Sequence, residues 1–328
     1  MANIAINGFG RIGRQTFKRM LEQFSHLEIV ALNDLTDTKT LAHLLKHDSN
    51  YGTYHADISY GDGFISVNGK KFTVLAEARA EKLPWKKLRV DIVLECTGFV
   101  DGHEHLKAGA KKVIISAPAK EKEIPGFNLG VNEDTFDPAI TIMDMGSCTT
   151  NCLTTTAKVL NDTFGIVKGF MTTVHSYTND QKILDLPHKD LRRARAAGLN
   201  IIPTYTGAAK SIGKIIPELN GKLDGIAMRV PTPVVSVLDL IVQVKKPTTK
   251  EAVNDAFKKA AESMKGILRV EEDELVSMDF KGDPHSSIID VHETMVNGDM
   301  VKVVAWYDNE WGYSCRLAEF TNFVAEKL

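Results

Sequence analysis

The spacing of hydrophobic and polar positions changes about midway along this chain of 328 residues. In residues 1–120, apolar runs such as "NIAINGFG", "LEIVALND" and "DIVLECTG" have the length and flanking glycines of buried strands. Between the first two runs, the segment "RQTFKRMLEQF" has helical spacing of its apolar side chains, Phe17, Met20, Leu21 and Phe24. Strands that alternate with helices in this way predict a parallel sheet with crossover helices.

The second half of the chain has longer apolar runs with fewer helical segments between them. We predict strands at "GIVKGFMTTVHS", "GKLDGIAMRVPT", "VSVLDLIVQVKK" and "MVKVVAWYDNE". We predict helices at "CLTTTAKVLNDTF", at "TKEAVNDAFKKAAESM", where Thr248 or Thr249 is available as N-cap, and at the C-terminal "RLAEFTNFVAEKL". This pattern predicts an α+β domain over one face of a mixed, largely antiparallel sheet.

The composition narrows the classes of function. The formal net charge of −2 gives no reason to expect nucleic acid or an anionic membrane as a partner. The N-terminus lacks the basic region and apolar run of a secretion signal, and no segment has about 18 consecutive apolar residues. Four cysteines do not make a disulfide framework. We therefore expect reduced thiols and a cytoplasmic protein.

A glycine motif, Gly8-x-Gly10-x-x-Gly13, lies between the first predicted strand and the first predicted helix. Such glycines make a tight turn, let the backbone approach a pyrophosphate, and let helix and strand pack closely. Asp34 ends the second strand, at the distance of about 20 residues where a carboxylate accepts from the ribose hydroxyls of NAD. A glycine-rich turn with an unrelated loop aspartate is the alternative, and the order of all these features favours an NAD site.

The stretch "GSCTTNC" places two of the four cysteines one helical turn apart. Ser147 is a suitable N-cap, so Cys148 would lie in the first turn of a helix, where the helix dipole favours a thiolate. No second pair of cysteines or histidines accompanies them, which argues against a metal site. Two buried cysteines that pack as small apolar residues are the alternative, and we prefer it for Cys152.

A thiol nucleophile needs a base, and His175 stands at the end of an apolar strand beside Thr178. A structural histidine is the alternative here. Arginines follow in "HKDLRRARAA" and in "RVPTP", and "TGAAK" begins another helix. They are a solvated face, a subunit contact, or sites for a phosphorylated substrate. The residue pattern alone indicates an NAD-dependent enzyme with a cysteine nucleophile that acts on a small anionic aldehyde.

Several long motifs resemble the phosphorylating glyceraldehyde-3-phosphate dehydrogenase family, over essentially the whole chain. They are "INGFGRIGR", "SCTTNC", "TTVHSYTNDQ", "NIIPTYTGAAK", "PELNGKLDG", "RVPTPVVSV" and "WYDNEWGYS". The resemblance implies an α/β fold with an N-terminal Rossmann-type parallel sheet, residues 1–147, and a C-terminal α+β catalytic domain, residues 148–310. It also implies that the C-terminal helix, residues 311–328, packs back on the first domain.

The resemblance implies a step of glycolysis, in which NAD and inorganic phosphate convert D-glyceraldehyde 3-phosphate to 1,3-bisphosphoglycerate. Cys148 would be the nucleophile, His175 its base, and the intermediates a hemithioacetal and a thioester. Positions that match the family's NAD site, besides the three glycines, are Arg11, Ile12, Asp34, Arg79, Ser116 and Asn309. Thr178, Arg193 and Arg229 match its site for the substrate phosphate, and Ser147, Thr149, Thr206 and Gly207 match its site for the attacking phosphate. No metal is implied.

The family is a homotetramer, and Gln181 to Leu199 match its loop that reaches a neighbouring subunit's cofactor site. The sequence departs from the family at "DMGSC", which replaces "SNASC", and in a shortened loop after Gly98. Three other functions stay open at this point: an erythrose-4-phosphate dehydrogenase, an aldehyde dehydrogenase that uses water as acceptor, and a non-catalytic NAD-binding regulatory protein.

Overall fold

In the computed structural model, which describes residues 2–99 and 102–328, the first strand lies inside a sheet and is buried on both faces. Ile4, Ala5 and Ile6 are completely buried, as expected for a strand that has parallel neighbours on both sides and helices on its faces. The elements of this region are β1 (Asn3–Asn7), α1 (Arg11–Gln23), β2 (Glu28–Asn33), α2 (Thr38–Lys46), β3 (His47–Asp48), β4 (Gly52–Thr53), β5 (Ile58–Gly61), β6 (Phe64–Val67), β7 (Lys70–Leu75), α3 (Trp85–Leu88), β8 (Ile92–Glu95), α4 (His103–Lys107), β9 (Lys112–Ile115) and β10 (Ile142–Asp144).

The strand order of this sheet, within the described residues, is β10-β9-β8-β1-β2-β7-β6-β5. All pairs from β10 to β7 are parallel, while β6 pairs antiparallel with both β7 and β5. The predicted Rossmann-type parallel sheet is therefore confirmed. The antiparallel hairpins at one edge were not predicted from the sequence.

The second sheet is built from the longer strands of the second half. The elements there are α5 (Cys148–Phe164), β11 (Ile166–Ser176), β12 (Ile202–Tyr205), α6 (Ala208–Ile215), β13 (Leu223–Val230), β14 (Ser236–Val244), α7 (Lys250–Ser263), β15 (Leu268–Glu271), β16 (Ser287–Asn297), β17 (Met300–Tyr307) and α8 (Trp311–Ala325). The predicted N-cap of α7 is Thr249, whose side chain accepts a hydrogen bond from Ala252 N.

The strands of this sheet run in the order β12-β13-β11-β14-β17-β16-β15. Only β11–β13 and β15–β16 are parallel among the pairs that the structure describes, so the predicted mixed, largely antiparallel sheet is confirmed. Apolar side chains from α5, α6 and α7 pack with one face of the sheet to form a core. The opposite face exposes large apolar side chains, which include Phe170, Ile241 and Met300.

The chain divides into two compact units. The first comprises Met1–Phe127, Asp134–Met145 and Ser314–Leu328, and the second comprises Asn128–Glu133 and Gly146–Tyr313. The predicted domains were residues 1–147 and 148–310. The short segment Asn128–Glu133 belongs to the second unit because Asn128 donates to Asn151 at 3.0 Å and Val131 packs in the second core. Within the described residues, no helix is long and apolar enough to cross a membrane.

Candidate active site

Cys148 is the first residue of α5 because Ser147 caps the helix. The backbone of Ser147 is extended, and its Oγ accepts a hydrogen bond from Thr150 N at 3.1 Å. Tyr313 Oη donates to the carbonyl oxygen of Gly146 at 3.0 Å, which holds the chain as it enters the helix. The predicted helix start is confirmed, and it places the thiol among the N–H groups of the first turn.

His175 stands at the end of β11 and faces this helix start. Its Nε2 lies 3.4 Å from Cys148 Sγ, within hydrogen-bond distance for sulfur. The imidazole is only 3% exposed, whereas Cys148 is partly exposed. The structure therefore brings together the two residues that the sequence indicated as nucleophile and base.

Burial acts against charge on both groups. Burial raises the pKa of the Cys148 thiol, and the positive charge of Arg229 opposes this only in part. Burial and the same guanidinium lower the pKa of His175 to about 3. The helix position favours a thiolate, and burial acts in the opposite direction. A neutral imidazole with a protonated thiol is the state from which a base can accept the thiol's proton.

Tyr307 supports both of these residues, and the sequence reasoning missed it. Its hydroxyl lies 2.9 Å from Thr149 Oγ1 and 2.7 Å from Thr173 Oγ1, and its ring meets the His175 ring edge-on at 6.1 Å. The hydroxyl thus links the first turn of α5 to β11. A tyrosine at the end of an apolar strand, in "AWYDNE", was the available signal.

Arg229 lies beside His175 because β13 pairs with β11 and places the two residues opposite each other. Its Nη1 is 2.7 Å from His175 Nδ1 and 2.9 Å from the carbonyl oxygen of Ser176. Its Nε is buried and makes no hydrogen bond to the protein. The Nε–H donor of Arg229 is therefore not used by the protein, and it lies in the side chain that contacts His175.

Arg193 is held in the loop between β11 and β12. It donates to Asp180 Oδ2 at 2.5 Å, to Thr204 Oγ1 at 2.9 Å and to the carbonyl oxygen of Tyr205 at 3.1 Å. Its charge lowers the pKa of both His175 and Arg229. The guanidinium groups of Arg193 and Arg229 therefore both disfavour a proton on His175. Asp180, which the sequence reasoning also missed, follows Thr178 by two positions in "TND".

The residues predicted for the attacking phosphate lie at two helix starts. Ser147 caps α5, while Gly207 precedes α6 without a side-chain cap and Thr206 Oγ1 accepts from Ala208 N at 3.3 Å. The two helices pack against each other, and Thr150 Oγ1 lies 3.4 Å from Ser211 Oγ. Thr149 is different, because its hydroxyl is buried against Tyr307.

Cys152 fills space behind the nucleophile. It is completely buried in the second core, and burial raises the pKa of its thiol to about 12. The prediction of a packing role for Cys152 is confirmed. Across residues 2–99 and 102–328, no group of three His, Cys, Asp or Glu side chains could hold a metal ion.

The glycine motif has the geometry of a phosphate-binding turn. Gly8 has a φ of +93°, and a Cβ there would lie 2.8 Å from the carbonyl carbon of Cys96. A Cβ on Gly13 would lie 2.2 Å from the carbonyl oxygen of Gly8. Gly10 is exposed and precedes α1, and no capping side chain closes the start of this helix, which is the end where helices bind phosphate. Only glycine fits the first and third positions, as the motif requires.

The other predicted cofactor residues of the first unit follow the carboxyl ends of its parallel strands. Asp34 follows β2, and its carboxylate accepts from Phe9 N at 2.9 Å and Thr36 N at 3.0 Å. Arg79 is exposed in the loop after β7, and Ser116 follows β9. The guanidinium of Arg11 donates to Asp48 Oδ2 at 2.6 Å, which ties the first residue of α1 to β3. This edge is where parallel α/β sheets bind nucleotides.

Asn309 is the one predicted cofactor residue in the second unit. It follows β17, is buried, and its Oδ1 accepts from Ser236 Oγ at 3.1 Å. Ser236 Oγ also accepts from Ser176 N at 3.1 Å, so Asn309 belongs to the hydrogen-bond network that fixes the end of β11. The shortened loop after Gly98 contains residues 100 and 101, which lie outside the described residues.

Both halves of the chain match domains of the same family of known proteins. Residues 2–103 match the family described as glyceraldehyde 3-phosphate dehydrogenase, NAD binding domain, and residues 147–309 match the corresponding C-terminal domain. A glyceraldehyde-3-phosphate dehydrogenase of Streptomyces coelicolor is 55% identical over 333 residues, which cover 99% of both chains. One of Geobacillus stearothermophilus is 56% identical over 331 residues, which cover 99% of this chain and 98% of the relative.

Proposed function

Because the chain belongs to the glyceraldehyde-3-phosphate dehydrogenase family, we propose that Cys148 and His175 carry out the oxidation of D-glyceraldehyde 3-phosphate by NAD. Inorganic phosphate is the second substrate and 1,3-bisphosphoglycerate the product. The observation that carries the assignment is the 3.4 Å approach of His175 Nε2 to Cys148 Sγ at the start of α5.

The first step is transfer of the thiol proton to His175. Nε2 accepts this proton when Nδ1 carries the ring hydrogen and donates it to the carbonyl oxygen of Ser176, 2.7 Å away. The sulfur then attacks the aldehyde carbon and forms a hemithioacetal. The developing oxyanion is stabilised by the main-chain N–H of Cys148 in the first turn of α5.

Bound NAD would supply the hydride acceptor for the conversion of the hemithioacetal to a thioester. The residues of the first unit fit this cofactor, because Gly8 and Gly13 leave no room for a side chain and no capping side chain closes the start of α1. Asp34 would hold the ribose hydroxyls, and Arg11, Ile12, Arg79, Ser116 and Asn309 are proposed as further contacts. The family match over residues 2–103 supports the assignment.

The thioester is opened by inorganic phosphate, which forms the mixed anhydride while the thiolate leaves. We assign Ser147, Thr206 and Gly207 to this phosphate because α5 and α6 present their N-termini near each other. Thr149 would contribute its main-chain N–H, since its hydroxyl is bonded to Tyr307.

The phosphate of the substrate itself is assigned to Arg229, Arg193 and Thr178. The charge of Arg193 lowers the pKa of Arg229, and both charges lower the pKa of His175, so positive charge is concentrated beside the imidazole. A phosphate dianion would neutralise that charge and use the unbonded Nε of Arg229.

We further propose a cytoplasmic homotetramer. The loop from Gln181 to Leu199 exposes large apolar side chains to an unusual degree, with Ile183 at 89%, Leu191 at 82% and Leu199 at 81%. Phe170 is 73% exposed on the open face of the second sheet. Apolar patches of this kind are typical of subunit interfaces.

The test is NADH formation from glyceraldehyde 3-phosphate and NAD, with and without inorganic phosphate, beside the same assay with erythrose 4-phosphate. We expect sustained turnover of the triose phosphate that depends on inorganic phosphate. The Cys148→Ser variant should form no NADH while it still binds NAD, because a hydroxyl is a far weaker nucleophile than a thiolate.

Three results would redirect the assignment. Preference for erythrose 4-phosphate would indicate the sister dehydrogenase, and turnover that ignores phosphate would indicate a hydrolytic aldehyde dehydrogenase. NAD binding without any turnover would leave a regulatory protein. Substantial turnover by Cys148→Ser would remove Cys148 from the mechanism.

A further inference from the structure

Three polar side chains lie in a row across the first sheet, directly before the candidate cofactor residues. Asn33 of β2, Asn7 of β1 and Glu95 of β8 stand opposite one another in the parallel register, and all three are buried. Each is the last residue of its strand, so the glycine motif begins directly after Asn7, and Asp34 follows Asn33. Buried polar side chains need hydrogen-bond partners, and here the partners connect the strand ends.

Main-chain groups fix the orientation of the two amides. Asn33 Oδ1 accepts from Glu77 N at 3.0 Å, and its Nδ2 donates to the carbonyl oxygen of Glu77 at 2.9 Å. The second N–H of this amide donates to Asn7 Oδ1 at 2.7 Å. Asn7 therefore turns its own amide N–H groups towards β8, where Nδ2 donates to Glu95 Oε2 at 2.5 Å.

A second chain of hydrogen bonds reaches Glu95 from the other side. The indole Nε1 of Trp85, which can only donate, bonds to His105 Nδ1 at 2.9 Å. Because Nδ1 is the acceptor of this ring, Nε2 carries the hydrogen and donates it to Glu95 Oε2, 2.9 Å away. Trp85 and His105 are completely buried. Asn7 Nδ2 and His105 Nε2, 3.4 Å apart, thus donate side by side to one carboxylate oxygen.

The other carboxylate oxygen holds the turn that follows β8. Glu95 Oε1 accepts from Thr97 N at 2.7 Å and from Thr97 Oγ1. Gly8 packs against the same peptide, because a Cβ on Gly8 would lie 2.8 Å from both the carbonyl carbon of Cys96 and Thr97 N. The first glycine of the motif therefore contacts a peptide whose N–H group is bound by Glu95.

We propose that Glu95 is a positioning residue for NAD, because its carboxylate joins the ends of neighbouring parallel strands and sets the spacing of the turns that take the diphosphate. The inference rests on the proposed cofactor site. Asn7, His105 and Thr97 all donate, so the position needs an acceptor at both oxygens. A glutamine offers one oxygen and one NH₂ group, which places donor against donor on one side. Relief of that conflict moves Asn7 or Thr97, and the Gly8 turn with it.

The experiment measures binding of NAD and of ADP-ribose, which contains the diphosphate without the nicotinamide, to Glu95→Gln by isothermal titration calorimetry. We expect both dissociation constants to rise about tenfold, because the turn that takes the diphosphate is displaced. The KM for NAD should rise while kcat at saturating NAD is unchanged, since Cys148 and His175 lie on other elements. A general loss of stability would not produce this separation.

Lys112→Met is the matched control for loss of a buried polar group from the same sheet. Lys112 begins β9, at the opposite edge from the cofactor residues, and its Nζ donates to the carbonyl oxygens of Pro138 and Ile140 at 2.5 Å and 2.7 Å. It should lower the free energy of unfolding and leave both dissociation constants unchanged. Wild-type affinity in folded Glu95→Gln would overturn the proposal, and so would an equal loss of affinity in Lys112→Met.

Thr97→Val tests the same link with a smaller change. Valine has nearly the size of threonine but lacks the hydroxyl that donates to Glu95, while the main-chain bond is kept. We expect the dissociation constants of NAD and ADP-ribose to rise about threefold. Unchanged affinity in this variant would contradict the proposal. A wild type that binds NAD but does not oxidise glyceraldehyde 3-phosphate would instead count against the proposed function alone.

Discussion

At the scale of the residue, burial has a larger effect than nearby charges on the pKa values of Cys148 and His175. Cys148 and His175 are in contact, yet burial raises the pKa of the thiol and lowers that of the imidazole. Both shifts disfavour charge on the resting pair. Arg229 and Arg193 supply positive charge beside it, and both lower the pKa of His175.

The buried neutral imidazole predicts a specific pH dependence of stability. The pKa of His175 is about 3 in the folded protein, against about 6.5 for an unfolded chain. Between these values the unfolded chain binds a proton that the folded protein does not. The free energy of unfolding should therefore fall as the pH decreases from about 6.5 to 3, by up to about 1.4 kcal/mol per pH unit from this group.

Urea unfolding at several pH values, for wild type and His175→Asn, measures this contribution. Because carboxylates also contribute, the difference between the two proteins is the quantity of interest, and it should shrink as the pH decreases. The exposed His55 offers a control, since His55→Asn should follow the wild-type curve. A constant difference between wild type and His175→Asn would show that His175 is not held neutral by the fold.

At the scale of the element, the reactive cysteine depends on the start of one helix. Ser147 sets the first turn of α5 through its bond to Thr150 N, and Tyr307 joins that turn to β11. The threonines that make α5 polar are also satisfied internally: Thr154 and Thr156 donate to main-chain oxygens one turn earlier. The helix is thus positioned by polar contacts at its beginning and packed along its length.

The effect of the Ser147 cap on the reactivity of Cys148 can be measured separately from its effect on stability. Ser147→Ala should lower the free energy of unfolding by about 1 kcal/mol, as loss of an N-cap does. It should also slow the alkylation of Cys148 by iodoacetamide several-fold, because the N–H groups around the sulfur lose their alignment. Both quantities are measured on the same preparation.

Thr249→Ala is the matched control. Thr249 caps α7 through the same kind of bond, to Ala252 N at 3.2 Å, but it belongs to no part of the site. It should reduce stability similarly and leave alkylation of Cys148 unchanged. Equal alkylation rates in the two variants would mean that Ser147 has only a structural role.

At the scale of the whole molecule, the second sheet is covered on one face and open on the other. Helices α5, α6 and α7 form the core on the covered face, while Phe170, Ile241 and Met300 face solvent in a single chain. Sheets of this size usually bury one face and solvate the other with polar side chains. Apolar side chains on the open face favour the proposed association of subunits.

Phe170→Asp tests the proposed tetramer. A charge at this exposed position should weaken association and shift the mass measured by light scattering from a tetramer to smaller species, while the fold of the single chain is retained. Tyr60→Asp, a similar change at a half-exposed aromatic of the other sheet, should leave the mass unchanged. An unaltered mass in Phe170→Asp would place the interface elsewhere.

Local sequence determined the elements and much of the candidate chemistry. The 3.6-residue spacing of α1, the apolar runs of the later strands and the cap residues Ser147 and Thr249 depend on neighbours along the chain, and their predicted structures are confirmed. The glycine motif is equally local, because a positive φ at Gly8 and the contact of Gly13 with Gly8 arise within one turn. The family resemblance added residue roles that no spacing could supply, and those roles stay predictions.

Only the tertiary structure decided how distant residues act on one another. The sequence could suggest His175 as a base but not the 2.7 Å contact of Arg229 with its Nδ1, which exists because two strands far apart in sequence pair in one register. It could not foresee Tyr307 between Thr149 and Thr173, or the rise in the pKa of the thiol that burial causes. The physical reason is that backbone geometry is set by local sterics, whereas burial and electrostatic coupling depend on which surfaces meet when the chain folds.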